Sequence, residues 1–165
     1  GGTRFGDVEL GYRRQIIGGS ESRFLVAPQL SALWLQAEGS PGGSPSGLGA
    51  QAALPMTAVL TSSLVTHWNL SATRGPFRPI ASAGVSVVWL MTPTVNLLVE
   101  GVWVGQDGTP PVYVLNPGAR FAVNTGALQI VPGFSFPVSL SGHEDADAVL
   151  FYLSFEHPLG SPTAE

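Results

Sequence analysis

The sequence contains no cysteine and no lysine, and charged residues fill only 11% of its 165 positions. Without cysteine there can be no disulfide, no thiolate metal site and no cysteine nucleophile. Without lysine, all seven basic residues are arginines: Arg4, Arg13, Arg14, Arg23, Arg74, Arg78 and Arg120. A water-facing surface ordinarily carries about a quarter or more Lys, Arg, Asp and Glu, so something other than water must cover part of this chain. Long apolar runs are lacking too, because Gly, Ser, Asn or a charge interrupts every stretch well before the ~20 residues of a membrane helix. There is no basic stripe, and a formal net charge of −4 argues against nucleic acid as a partner. The chain opens Gly1-Gly2-Thr3, with neither an initiator Met nor a charged-then-apolar leader. A secretion signal is therefore already removed or lies outside this stretch, and the start reads as internal.

What is present is 44% hydrophobic residues, 21 Gly and 14 Pro, arranged with period-two alternation along the whole length. The apolar members are often aromatic or β-branched, as pleated strands prefer. Nine segments emerge: 4–17, 22–35, 47–59, 63–74, 79–91, 94–104, 112–124, 127–140 and 148–157. In segment 63–74, for example, Leu64, Trp68 and Leu70 oppose His67, Asn69 and Ser71. With membrane helices excluded, a closed sheet is the other way to satisfy every backbone group in lipid. The expectation is an all-β, antiparallel, up-and-down transmembrane barrel over residues 1–159, with a polar tail at 160–165.

The connections alternate in length, as outer-membrane barrels alternate short periplasmic turns with longer external loops. Short joints at Gly18–Glu21, Leu60–Ser62, Thr92–Pro93 and Thr125–Gly126 interleave with longer ones at Gln36–Ser46, Gly75–Arg78, Gly105–Pro111 and Ser141–Asp147. Strand one then starts outside. Complete bacterial barrels have an even strand count with both ends inside, so nine strands imply that one or three are missing upstream of a ten- or twelve-stranded barrel. Trp34, Trp103 and Tyr113 fall beside long connections and Trp89 beside a short one, as interfacial aromatic girdles do. Pro28, Pro55, Pro117, Pro132 and Pro137 sit inside the segments, where each removes a ladder donor, so some strands must contain bulges or end sooner.

Several segments carry a family resemblance: Gln51-Ala-Ala-Leu-Pro55, Thr66-His67-Trp68-Asn69, Asn116-Pro117-Gly118-Ala119-Arg120-Phe121, Gln129-Ile130-Val131-Pro132-Gly133 and Tyr152-Leu153-Ser154-Phe155-Glu156-His157-Pro158. In order and spacing they resemble the bacterial outer-membrane β-barrel family named for the meta-pathway of phenol degradation, whose members are transporter-like. The resemblance runs from about residue 5 to residue 159. It implies an outer-membrane location in a Gram-negative cell, a signal peptide, assembly by the barrel-assembly machinery, and passage of small hydrophobic or aromatic molecules. It brings no catalytic residues. The chain departs from the family's usual ending, an aromatic residue closing the last strand, since His157-Pro158-Leu159 is followed by a polar tail.

No enzyme signature is found: no Gly-x-Ser-x-Gly turn, no phosphate-cradling Gly loop ending in Lys-Ser/Thr, no paired His at metal spacing. A Ser/His/acid triad can be assembled from His67, Glu100 and one of many serines only by free choice. The loop His143-Glu144-Asp145-Ala146-Asp147 lacks the Gly and spaced carboxylates of a calcium site and reads as a solvated external loop. Asn69-Leu70-Ser71 matches a glycosylation sequon and Gly101-x-x-x-Gly105 a helix-dimer pattern, but both lie on strands and are set aside. No cofactor and no metal is expected.

The informative set is the polar face: Glu9, Arg13, Gln29, Gln51, His67, Asn69, Glu100, Asn116, Arg120, Gln129, Tyr152 and Glu156, which in a barrel line the lumen. Charges of both signs there either pair into a plugging network or border a permeation path. Arg120 against Glu100, on adjacent strands, is the pair expected first. Three functions fit: a passive outer-membrane channel or transporter for small molecules, a structural membrane barrel with a filled interior and interacting loops, and a soluble β-barrel holding an apolar ligand. The scarcity of charge even on the polar face weighs against the third.

Overall fold

The computed structural model describes residues 8–19, 21–36, 46–76, 79–126, 128–141 and 148–156. Twelve strands form one sheet, with no helix among the described residues: β1 (Val8–Arg13), β2 (Phe24–Val26), β3 (Gln29–Leu35), β4 (Gly47–Val59), β5 (Leu64–Arg74), β6 (Ile80–Thr92), β7 (Val95–Gln106), β8 (Val112–Phe121), β9 (Val123–Thr125), β10 (Leu128–Ser135), β11 (Val138–Ser139) and β12 (Leu150–Glu156). The order is β1-β3-β4-β5-β6-β7-β8-β10-β12, every pairing is antiparallel, and β2, β9 and β11 extend the path beside β4, β10 and β8. This is an up-and-down meander of nine rungs, one for each alternating segment. It is open: β1 and β12 form its two edges, with no pairing between them among the described residues.

Three of the nine segments are split, and proline chemistry explains where. Pro28 ends the extension between β2 and β3, and across from that break Pro55 accepts at its carbonyl from the Ala27 N–H. The side of Pro55 that lacks an N–H thus faces an interruption rather than an intact ladder. Pro137 interrupts β10 and β11 in the same way, opposite Pro117, whose carbonyl accepts from the Phe136 N–H. Pro132 lies in the third gap, between the β10 pairings with β8, which end at Gly133 and Arg120, and those with β9, which begin at Ile130 and Val123. Confining proline to such irregularities spares the sheet a missing donor in an unbroken ladder.

Antiparallel order puts alternate connections on opposite rims. One rim carries the reversal at Gly18 and Gly19, residues 60–63 and 93–94, and the end of β9 beside the start of β10; the other carries residues 107–111, the end of β3 beside the start of β4, the end of β5 beside the start of β6, and the start of β12. Gly108 (φ 78°) and Gly126 (φ 61°) sit at reversals, one on each rim, where only glycine enters the left-handed region without strain. The ladder runs past β1, since the N–H groups of Arg14, Ile16 and Ile17 donate to the carbonyls of Pro28 and Val26.

Because the side-chain period is two, the register fixes which residues share a face. One face carries Val8, Leu10, Trp34, Leu48, Leu54, Trp68, Val85, Leu97, Leu115, Phe134 and Phe151, with Ala50, Ala52, Ala72 and Ala81 between them. Among the strand residues with described side chains, Arg74, at the end of β5, is its only charge. No second layer packs on this face among the described residues. Only Val26, Ala27, Val88, Ala119 and Val131 are buried apolar residues among those described, whereas thirty-one large apolar side chains are exposed, from Phe151 at 85% to Val85 at 36%. A single sheet without a covering layer has no conventional core.

Candidate functional site: the polar face of the sheet

The other face collects eleven of the twelve residues expected to line a lumen. Arg13 stands opposite Gln29, and Glu9 lies two positions before Gly11, the partner of Ser31, which is in turn opposite Gln51. His67 and Asn69 follow on β5, Glu100 on β7, Asn116 and Arg120 on β8, Gln129 on β10 and Tyr152 on β12, all on this side by register. The backbone of Glu156 pairs with that of Gln129. Trp34, Trp89, Trp103 and Tyr113 all lie on the apolar face.

The face is organised in rows across the strands. The central row reads Thr57, His67, Ser86, Glu100, Asn116, each directly opposite the next from β4 to β8. Thr57 Oγ1 and His67 Nδ1 are 2.9 Å apart, and Asn116 Nδ2 donates to Glu100 Oε2 at 3.5 Å. Towards the short-joint rim comes an apolar row, Val59, Val65, Val88, Leu98 and Gly118, and then Asn96, Arg120, Gly133 and Tyr152. Towards the long-joint rim the face divides lengthwise. β4 to β6 bear Gln51, Asn69, Ser71, Thr73 and Ser82, whereas β7 and β8 bear Val102, Val104, Val112 and Val114.

Local hydrogen bonds hold the polar half. Ser71 and Ser82 hydroxyls meet at 2.7 Å, Gln51 Nε2 donates to Thr73 Oγ1 at 2.9 Å, and Gln29 Nε2 donates to Ser31 Oγ at 3.1 Å and Glu9 Oε1 at 3.3 Å. Near the other edge Gln129 Nε2 donates to Asn124 Oδ1 at 2.7 Å. Cross-strand neighbours on one face are close enough for such bonds without long side chains.

The exposure along β8 shows that the sheet curls with this face inward. On β8 the polar-face residues Val112, Val114, Asn116, Gly118 and Arg120 are half-buried, while Tyr113, Leu115, Pro117 and Phe121 on the other face are exposed. A flat single layer would shelter neither side.

The expected Arg120–Glu100 pair is not formed. The β7–β8 register sets Glu100 against Asn116 and Arg120 against Asn96, so the two charges are two rows apart along the strand. Arg120 instead lays its stem over Gly133, where an added Cβ would lie 2.8 Å from Arg120 Cγ. Its Nε and the Asn116 Oδ1 are buried with no hydrogen-bond partner among the described residues.

The alternation readily places Thr57, Ser86, Asn96, Ser82 and Thr73, which belong to this face as much as the eleven. On the outside, Trp68 joins the exposed aromatics and donates from Nε1 to Thr66 Oγ1 at 3.2 Å. Trp103 folds its ring back over Gly105 towards the long-joint rim, where a Cβ on Gly105 would lie 2.5 Å from the ring. The loop His143–Asp147, His157 and the tail at 160–165 lie outside the described residues.

Chemically, the face offers hydrogen-bond donors and acceptors of both kinds, a cation, and a strip of valines. His67 engages Thr57 through Nδ1, and among the described residues no serine hydroxyl is hydrogen-bonded to it. Comparison with protein-family models, curated proteins and solved structures finds no match to this chain.

Proposed function

We propose that the sheet is the wall of a bacterial outer-membrane barrel, its apolar face against lipid and its polar face lining a passage for small molecules. The observation that carries this reading is the uncovered apolar face, which spans nine rungs with Arg74 as its one described charge, at a strand end. Soluble monomers rarely leave contiguous apolar patches above a few hundred Å² open to water, whereas lipid requires such a surface. Strand lengths agree: β4 to β8 run 13, 11, 13, 12 and 10 residues, against the roughly 9–11 that a tilted strand needs to cross.

The aromatics fix the height of the band. Trp89 stands opposite Leu97, and Trp103 reaches over Gly105 on the same strand as Leu97. Eight residues at about 3.4 Å, tilted by about 40°, give a band of roughly 21 Å, close to the ~25 Å expected between girdles. Barrel closure then takes place at the free edges of β1 and β12, through further strands of the wall. Ten to twelve strands close at a backbone radius of about 10–12 Å, which inward side chains reduce to a passage for small solutes.

In this wall the polar half of the inner face holds hydrogen-bonding groups of a solute, and Val102, Val104, Val112 and Val114 accept its apolar parts. Movement is passive, by exchange of such contacts from row to row, and no bond is made or broken. The resemblance to the phenol-degradation family, which rests on its short motifs, is consistent with a solute of mixed character. The test is heat-modifiable migration of the detergent-solubilised chain, combined with swelling of liposomes that carry it. Compact migration lost on boiling, with solute-dependent swelling, is expected. A chain that stays monomeric in water without detergent contradicts the membrane reading.

A further inference from the structure

We infer that Arg120 is an anion-binding residue of the inner face, placed to take the carboxylate of a small organic acid whose short apolar body lies on the neighbouring Leu98. The role in transport rests on the pore reading above; the binding itself does not.

Among the described residues Arg120 is a cation without a counterion. Its cross-strand neighbours are Asn96 and Gly133, and the nearest acid on the adjoining strand, Glu100, engages Asn116 instead. Its Nε is buried and unpartnered among the described residues. The Nε itself is covered, so the donors left to meet an acceptor from outside the chain are the Nη amino groups, which make no hydrogen bond among the described residues. The guanidinium fork matches a carboxylate in shape and charge, and cannot lose its proton.

The residue is also held in place. Gly133 leaves the notch into which the Arg120 stem fits, with Cγ only 2.8 Å from where a side chain would begin. A fixed stem gives up little rotational freedom on binding, which favours capture. Beside it, Leu98 is half-buried and lines the same cavity as Arg120, Gly133 and Tyr152. Charge at one end and an apolar floor alongside define a monocarboxylate rather than inorganic phosphate.

Isothermal titration of the full chain in detergent, with butyrate and butylammonium as probes, tests this directly. Butyrate is expected to bind and butylammonium not. Arg120→Gln should weaken butyrate at least about tenfold, and Arg120→Lys by less than about fivefold. Gly133→Ala, which displaces the stem and keeps the charge, should weaken it too, and it retains the test should Arg120→Gln fail to fold. Wild-type protein that ignores butyrate, or an Arg120→Gln variant that binds it equally well, overturns the inference. Liposomes that swell in neither butyrate nor glycerol contradict the pore while the titration still decides the binding.

Discussion

Val85 and Ser86 are neighbours in sequence and inhabit opposite worlds. Val85 belongs to a face that tolerates one described charge at a strand end; Ser86 stands between His67 and Glu100 on a face that holds Glu9, Arg13, Glu100 and Arg120. The same backbone and the same ladder serve both. On the proposed reading the difference is a matter of solvent, lipid on one side and water or solute on the other, and of the curl that shelters the polar side. The polar face is itself divided, with amides and hydroxyls on β4 to β6 and valines on β7 and β8, so the inside is amphipathic rather than uniformly wet.

The largest effect should come from moving charge across that boundary. Val85→Arg is expected to destabilise the lipid-embedded protein by about 2–4 kcal/mol, because an arginine near the bilayer midplane is costly on a lipid face. Ser86→Arg, one position on, should cost less than about 1 kcal/mol. Urea unfolding in lipid vesicles measures both, and equal losses would erase the distinction between the faces.

A smaller contrast lies in the glycines. At Gly118, on the polar face, an added Cβ would lie 2.6 Å from the Phe134 carbonyl oxygen, backbone that cannot swing aside. Gly118→Ala should cost about 1–3 kcal/mol through overpacking. At Gly101, on the apolar face, the nearest atom is Val85 Cγ1 at 4.0 Å. Gly101→Ala should leave the urea midpoint nearly unchanged, and a loss equal to that at Gly118 would contradict the crowding account.

Smallest is the Ser71–Ser82 pair at 2.7 Å. Ser71→Ala removes one hydroxyl and leaves the other to find a new partner, for an expected loss of about 0.5–1.5 kcal/mol. If Ser82 is wetted by an open passage, the loss should fall at the low end, and a double-mutant cycle with Ser82→Ala separates the pair from its surroundings.

The faces were legible because period-two alternation is a local property: Trp34, Trp89, Trp103 and Tyr113 share one parity in register, and His67, Glu100 and Arg120 share the other. Register was harder. Adjacency made Arg120 and Glu100 look like partners, but the β7–β8 pairings centre on Gly108 and set Glu100 against Asn116. The Asp-Gly dipeptide marks the reversal without giving this register, because a two-residue turn at Asp107 and Gly108 would set Glu100 against Leu115. The breaks at Pro28 and Pro137 were foreshadowed by the prolines, yet their alignment opposite Pro55 and Pro117 depends on strand pairing that no single segment encodes. The valine strip escaped notice because attention to polar residues passes over Val102, Val104, Val112 and Val114 on the same face. Openness at β1 and β12 is a property of the whole sheet.

The most direct test uses the absence of cysteine, which lets single cysteines be introduced and spin-labelled one at a time along β7 in lipid vesicles. Accessibility to oxygen should peak at positions 97, 99, 101 and 103, and accessibility to a polar nickel chelate at 96, 98, 100 and 102, in strict alternation. Loss of the alternation, or oxygen accessibility peaking at the even positions, would contradict the account of a lipid-facing and a solute-facing side.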